Sequence, residues 1–201
     1  ERCQKVEEDL RQGRIRSLLQ SQRAVFLDRD GVLTREKGYV GRWEDMEIFP
    51  YAKDCVSQIQ SKGYYAIVVT NQSGVARGYF TEIALLSMNQ FLKEETGVDA
   101  IYYCPHCRQG IVPEYAVSCN CRKPATGMME KACREYDIDI THSYMVGDRA
   151  CDILMGKNAG LRTVLLESGY GLEKLEEKVQ PDYIFEDLQE FAAFLPQQRK
   201  A

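Results

Sequence analysis

The sequence lacks a long apolar run: no stretch approaches the roughly 18 residues that a membrane-spanning helix needs, and we expect no signal peptide. It also lacks a block of like charge, and its net charge of −4 does not suit a basic nucleic-acid binder. Because 44% of its residues are hydrophobic, the composition is not that of a disordered chain. We therefore expect a folded cytoplasmic monomer that binds neither membranes nor nucleic acids.

The length of 201 residues suits one folded domain. Residues 1–23 are polar, with an apolar stripe only near Ile15–Leu19, and we expect a helix-like tail or linker there. The folded domain is expected over residues 24–195.

Short apolar runs typical of buried strands alternate with segments of helical pattern. The pattern predicts strands at 24–28, 64–70, 100–103, 143–146, 162–166 and 183–185, and helices at 51–62, 81–96, 127–136, 152–159 and 187–195. Such alternation predicts an α/β fold with a Rossmann-like parallel sheet and helices on both faces. Ligands of such sheets bind beyond the carboxyl ends of the strands. With only residues 31–50 between the first strand end and the next predicted helix, we expect a minimal cap over that edge.

Two carboxylates, Asp28 and Asp30, stand just past the first predicted strand. One carboxylate can act as a nucleophile that forms an aspartyl-phosphate, and a second can carry a proton to and from the reacting oxygens. Their oxygen atoms are also the hard ligands that Mg²⁺ prefers. Asp and Gly also favour turns, so two aspartates in this spacing, taken alone, more often indicate a turn than a site.

Three further groups fall at predicted strand ends or loop junctions. Thr70 and Asn71 end the second strand, and the cations Arg122 and Lys123 could neutralise phosphoryl oxygens. Asp148 follows a later strand and could complete a metal site, while Asp152 either acts through water or caps the following helix.

Four of the eight cysteines lie within residues 104–121, and such clusters in reducing compartments indicate metal binding. Cys104 and His106 are followed by Cys119 and Cys121, a donor set that suits a closed, structural Zn²⁺ site. The spacing equally allows Cys107 to replace His106 in an all-thiolate site. Zinc here would fix a loop that runs directly into Arg122 and Lys123.

Together these residues resemble the four motifs of the haloacid dehalogenase (HAD) phosphatases, over about residues 24–185. The resemblance implies that Asp28 is the nucleophile, Asp30 the general acid and base, and Thr70 and Lys123 the groups that hold the phosphoryl. It also implies a catalytic Mg²⁺ held by the Asp28 carboxylate, the Asp30 backbone carbonyl and Asp148.

The cysteine loop narrows the resemblance to the D-glycero-D-manno-heptose 1,7-bisphosphate 7-phosphatases and the related histidinol-phosphate phosphatases. That family implies a sugar phosphate as substrate, bacterial lipopolysaccharide or related surface glycans as the pathway, and His106 rather than Cys107 as zinc ligand. Its substrate contacts correspond to the residues Asn71, Gln72, Ser73, Arg77 and Arg122. Residues 1–15 also resemble the tail of sugar-phosphate nucleotidyltransferases, which predicts a fused partner domain and favours the α-anomer; histidinol phosphate is the alternative substrate.

Overall fold

A computed structural model describes residues 21–170 and 179–197. It contains a six-stranded sheet in which every neighbouring pair is parallel, in the order β3-β2-β1-β4-β5-β6. The strands are β1 (Arg23–Leu27), β2 (Tyr64–Asn71), β3 (Ala100–Cys104), β4 (Tyr144–Gly147), β5 (Arg162–Leu166) and β6 (Tyr183–Phe185). The predicted parallel α/β fold is confirmed. The predicted tail falls almost wholly outside the described residues.

The described residues contain five α-helices, of which the first four connect strands and the fifth follows β6: α1 (Ala52–Ser61), α2 (Glu82–Thr96), α3 (Gly127–Tyr136), α4 (Ala150–Ala159) and α5 (Leu188–Phe194). Two predicted helix ends have the expected caps. The Thr81 hydroxyl accepts a hydrogen bond from the backbone N–H of Ala84, and Gly160 ends α4 with a φ of 79°. The prediction that α4 begins at Asp152 is wrong by two residues, because that carboxylate caps the helix from within its first turn.

Alternate side chains of each central strand enter two separate cores, as the pleat of a sheet requires. In β1, Val25 and Leu27 pack under α1, α2 and α5, whereas Ala24 and Phe26 pack under α3 and α4. Both faces of the sheet are therefore covered, which accounts for the nearly continuous apolar strands.

The strand order decides where the polar strand ends meet. β1 lies between β2 and β4, so the residues that follow these three strands converge on one edge of the sheet. The backbone N–H of Asp28 still donates to the carbonyl of Val146 at 2.9 Å, which fixes the start of the loop after β1. No helix in the described part of the chain is long and apolar enough to cross a bilayer.

Candidate active site and metal-binding loop

The buried Lys123 ammonium joins two of the carboxylates at the carboxyl edge of the sheet. Its Nζ atom lies 2.8 Å from Asp28 Oδ1 and 2.6 Å from Asp152 Oδ1, and it donates to the carbonyl of Val69 at 2.9 Å. Burial alone would lower the pKa of Lys123, but Asp152 and Asp28 outweigh it and raise the pKa above its ordinary value. The lysine is therefore a fixed positive charge next to Asp28.

The carboxylates of Asp28, Asp148 and Asp152 form a compact group whose ligand oxygens lie within 4.8 Å of one another. Burial raises the pKa of Asp28 to about 6 and that of Asp148 to about 7, with further contributions from the neighbouring carboxylates. Oδ1 of Asp148 is buried without a hydrogen-bond partner, and its nearest cation is Arg149 Nε at 3.9 Å. Three buried carboxylates beside one lysine, one of them with an unpaired oxygen, fit a divalent cation held by oxygen ligands.

Two glycines make room for the Asp148 side chain. A Cβ atom on Gly31 would lie 2.3 Å from Asp148 Oδ2, and one on Gly169 would lie 2.1 Å from it. Gly31 also has a φ of +84°, which only glycine adopts readily. The backbone N–H of Tyr170 donates to Asp148 Oδ2 at 2.9 Å. Sequence analysis missed Gly169 and Tyr170, although they follow the carboxyl end of β5 at the same edge.

The Asp30 carboxylate lies outside the three-carboxylate group, as expected from its predicted backbone role toward the metal. Burial would raise the pKa of Asp30, but the Arg29 guanidinium, with hydrogen bonds from Arg29, Gln72 and Thr34, holds the pKa below its usual value. In the absence of substrate these partners favour the anionic form of Asp30, which must take up a proton before it can act as an acid.

Asn71 and Gln72, at the end of β2, form hydrogen bonds within the protein in addition to the substrate contacts that the resemblance implies. The Asn71 side chain accepts from the backbone N–H of Lys123 at 3.0 Å and donates to the carbonyl of the same residue at 3.2 Å. Gln72 Nε2 donates to Asp30 Oδ2 at 2.8 Å and to Thr70 Oγ1 at 3.0 Å. Asn71 therefore fixes the lysine loop, and Gln72 connects two predicted catalytic side chains.

These groups open into a cavity of about 330 Å³. All the predicted catalytic and substrate-binding residues line it: Asp28, Asp30, Thr70, Asn71, Gln72, Ser73, Arg77, Arg122 and Lys123. Sequence analysis missed its remaining lining residues, namely Glu36, Gly38, Tyr39, Arg149, Cys151 and Tyr170. Arg149 ion-pairs with Glu36 at 2.5 Å and lies over the Tyr170 ring, so these residues form one wall of the cavity.

The loop between β3 and α3 brings together the four predicted zinc donors. Cys104 Sγ lies 3.5 Å from Cys119 Sγ, 3.2 Å from Cys121 Sγ and 3.7 Å from His106 Nδ1. A tetrahedral Zn²⁺ with Zn–S bonds of about 2.3 Å would separate two sulfurs by about 3.8 Å, close to this spacing. The donor set therefore fits zinc.

The Cys107 thiol lies outside this group and is directed toward Arg77 Nη2 at 3.7 Å and Gln109 Oε1 at 3.3 Å. The all-thiolate alternative thus has no support in the geometry. The loop is also tied to the cavity, because Arg122 Nη1 donates to the carbonyl of His106 at 3.1 Å. A metal in the loop would hold the residues that precede Lys123.

The fold and this site define a hydrolase of the HAD class, and residues 120–191 match the HAD-hydrolase-like family model. D-glycero-beta-D-manno-heptose-1,7-bisphosphate 7-phosphatase from Haemophilus ducreyi is 43% identical over 78% of this chain and 89% of its own length. D-glycero-alpha-D-manno-heptose-1,7-bisphosphate 7-phosphatase from Photorhabdus laumondii is 41% identical over 74% and 84%. The chain belongs to this family of sugar bisphosphate phosphatases, and it is a phosphoric monoester hydrolase.

The fold agrees with a solved structure of the same family. The crystal structure of D,D-heptose 1,7-bisphosphate phosphatase from B. bronchiseptica, complexed with magnesium and phosphate, aligns with a TM-score of 0.75 and 28% identity. The alignment covers 86% of this chain and 97% of that one.

Proposed function

We propose that this enzyme removes the C7 phosphate from D-glycero-D-manno-heptose 1,7-bisphosphate. The observation that carries the proposal is the convergence of Asp28, Asp30, Thr70 and Lys123 on one cavity, in a chain whose relatives are named for this reaction. A cavity of about 330 Å³ without a large cap suits a phosphate on an extended sugar.

In the proposed reaction, Asp28 attacks the phosphorus and forms an aspartyl-phosphate as the C7 oxygen leaves. Asp30 gives a proton to that oxygen and later takes one from the water that hydrolyses the intermediate. Lys123 and Thr70 bind the phosphoryl oxygens, and the fixed ammonium beside Asp28 offsets the repulsion between two anions. Arg122, Arg77, Asn71, Gln72 and Ser73 line the rest of the cavity and are proposed as substrate contacts.

Two metals complete the proposal. Mg²⁺ would be held by the Asp28 and Asp148 carboxylates and the Asp30 carbonyl, and it would supply charge stabilisation for the transferred phosphoryl. Asp152 pairs with Lys123 and caps α4, so its role is to orient the lysine. Zn²⁺ would be held by the four-residue group in the loop, where it has a structural role.

We further propose residues 24–195 as the phosphatase domain of a monomeric cytoplasmic enzyme. The seven cysteines in the described residues are all unpaired thiols, which supports a reducing compartment. The fused nucleotidyltransferase and the α-anomer preference stay predictions, since they depend on residues 1–15.

Phosphate release from both anomers of the heptose bisphosphate and from histidinol phosphate, measured side by side with Mg²⁺, tests the proposal. We expect kcat/KM for one heptose anomer to exceed that for histidinol phosphate by about 10²-fold or more, because the cavity must recognise the sugar. A preference for histidinol phosphate would move the enzyme to the alternative reaction. If none of the three substrates releases phosphate while both metals are bound, the proposed substrate is wrong.

A further inference from the structure

Arg29 is a buried arginine to which the proposed chemistry gives no direct task. Only 1% of its surface is exposed, and it is not among the residues that line the cavity. Burying a guanidinium is costly unless a charged partner compensates for the lost hydration. The charged partner of Arg29 therefore indicates the role of this arginine.

That partner is Asp30. Arg29 Nε donates to Asp30 Oδ1 at 3.0 Å and Nη2 donates to Asp30 Oδ2 at 2.8 Å. A two-pronged contact fixes both the direction and the plane of a carboxylate, which a single ammonium contact does not. Because 20% of the Asp30 side chain stays exposed in the cavity, the carboxylate is held firmly and is still accessible to substrate.

Two neutral donors complete the arrangement. Thr34 Oγ1 donates to Asp30 Oδ1 at 3.1 Å, and Gln72 Nε2 donates to Asp30 Oδ2 at 2.8 Å. Each has a second acceptor, the carbonyl of Arg29 for Thr34 and the Thr70 hydroxyl for Gln72. Either can release an Asp30 oxygen to a substrate atom without losing its last hydrogen bond, while the Arg29 contact stays in place.

We infer that Arg29 is a positioning residue that keeps the Asp30 carboxylate aimed into the cavity and out of the Asp28–Asp148–Asp152 group. A divalent cation in that group would attract any free carboxylate nearby, and an Asp30 carboxylate bound to the cation could no longer exchange a proton with the leaving oxygen. The inference rests on the proposed role of Asp30 as acid and base. Arg29, which stands between Asp28 and Asp30 in the sequence, therefore has a role that differs from that of either aspartate.

The test compares two substrates that differ in their need for an acid. Release of an alkyl oxygen from a sugar phosphate needs a proton, whereas p-nitrophenolate leaves as a stable anion. Arg29→Lys keeps the positive charge but cannot donate to both Asp30 oxygens at once. We expect it to lower kcat/KM for the heptose bisphosphate by about 10²-fold. For p-nitrophenyl phosphate the loss should stay below about threefold.

Thr34→Val, also outside the cavity lining, should lower kcat/KM for the heptose bisphosphate by about tenfold, because it removes a hydrogen bond to a carboxylate, and should leave the value for p-nitrophenyl phosphate unchanged. Arg162→Lys, whose guanidinium donates to Tyr144 away from the site, is the matched control and should leave both values unchanged.

Equal losses on both substrates, or no loss on the sugar phosphate, would overturn the inference. If Arg29→Lys does not fold, as judged by thermal melting, Thr34→Val decides, and an absent or unselective effect there would overturn it as well. If the wild type releases no phosphate from the heptose bisphosphate, the proposed substrate fails separately. β-Glycerol phosphate then replaces it as the alkyl substrate, and the comparison for Arg29 stands unchanged.

Discussion

Lys123 is the residue on which the electrostatics of the active site depends most. Its ammonium is the partner of both Asp28 and Asp152, and the backbone around it is held by the Asn71 amide. A buried charge that loses one of its partners is strongly destabilised, so each member of this group supports the position of the others.

Replacement of the proposed nucleophile separates chemistry from folding. Asp28→Asn keeps the size of the side chain and removes the attacking charge, so we expect kcat to fall by about 10⁴-fold or more. The melting temperature should stay within about 5 °C of the wild-type value, since the loss of the Lys123 pair is offset by relief of repulsion among three carboxylates. Phosphate-release kinetics and thermal melting check the two parts. Asp54→Asn, at an exposed position on α1, is the control and should change neither.

At this scale the sequence predicted the side chains that carry charge and missed those that shape their surroundings. Asp28, Thr70 and Asp148 were predictable because each lies at or just past the end of a buried strand, which is visible in the sequence as a break in the apolar run. Gly169 follows β5 in the same way, but it carries no reactive group, and its contact with Asp148 depends on tertiary packing. The pair of hydrogen bonds from Arg29 to Asp30 was not predictable, because the direction of a side chain after a strand depends on the conformation of the loop.

The cysteine loop is the element that connects the candidate zinc site to the candidate active site. It leaves β3 at Cys104, contributes Cys119 and Cys121, and continues without interruption into Arg122 and Lys123. Cys104 Sγ lies 3.5 Å from Cys119 Sγ and 3.2 Å from Cys121 Sγ, so a bound metal would join the two ends of the loop. Because the site forms only in the folded chain, the free energy of metal binding would add to the free energy of folding. The four donors were predictable because a close group of cysteines and a histidine has the residue types and short spacings of a zinc site.

Two cysteine variants test this element. Cys119→Ser should reduce zinc content well below one ion per chain and lower the melting temperature by about 10 °C or more. Cys107→Ser is the matched control in the same loop, because its thiol lies outside the donor group, and it should keep the zinc. Metal analysis and thermal melting provide the measurements. Zinc loss in both variants would favour the all-thiolate arrangement, because Cys107 and Cys119 are both ligands in it.

The contact between β5 and the start of β6 gives a pH-dependent prediction. Asp182 accepts from the backbone N–H and the hydroxyl of Thr163, both at 2.7 Å. Partial burial would raise the pKa of Asp182, but these hydrogen bonds hold it below the usual value. A lowered folded pKa means that the stabilisation is present above the unfolded pKa and is lost as the pH falls through the folded one.

We therefore expect Asp182→Ala to lower the free energy of unfolding at pH 7 by less than about 1 kcal/mol, because Asp182 is exposed and solvent weakens its contacts. The difference from wild type should shrink as the pH falls below the ordinary range of a carboxyl group. Denaturant unfolding of both proteins at several pH values measures it. A difference that stays constant down to low pH would show that the side chain contributes packing alone.

The order of the strands builds the site from distant parts of the chain. β1, β2 and β4 supply Asp28, Thr70 and Asp148, and the loop after β3 supplies Lys123. This gathering was predictable from the alternation of strands and helices, because parallel strands present their carboxyl ends at one edge. The position of β1 between β2 and β4 followed from packing that the local pattern does not show.

The accumulated negative charge at this edge predicts how stability depends on pH. In protein free of Mg²⁺ but replete with zinc, burial raises the pKa of Asp28 to about 6 and that of Asp148 to about 7. The folded state then binds protons that the unfolded state does not, so stability falls as the pH rises toward 7. We expect the melting temperature to fall between pH 5.5 and 8 without Mg²⁺. Mg²⁺ at millimolar concentration should raise it more at pH 8 than at pH 5.5, which differential scanning calorimetry would detect. An equal effect at both pH values would contradict the assignment of these carboxylates as metal ligands.

The two donor sets lie in one domain yet differ in hardness: thiolates and an imidazole in the loop, carboxylates at the sheet edge. With zinc in the first and magnesium in the second, the enzyme would be sensitive to two separate nutritional shortages. Zinc starvation would leave destabilised chains, which unfold more often and are degraded by proteases, so the amount of enzyme in the cell would fall. Magnesium starvation would leave intact but idle chains, which resume turnover as soon as the ion returns.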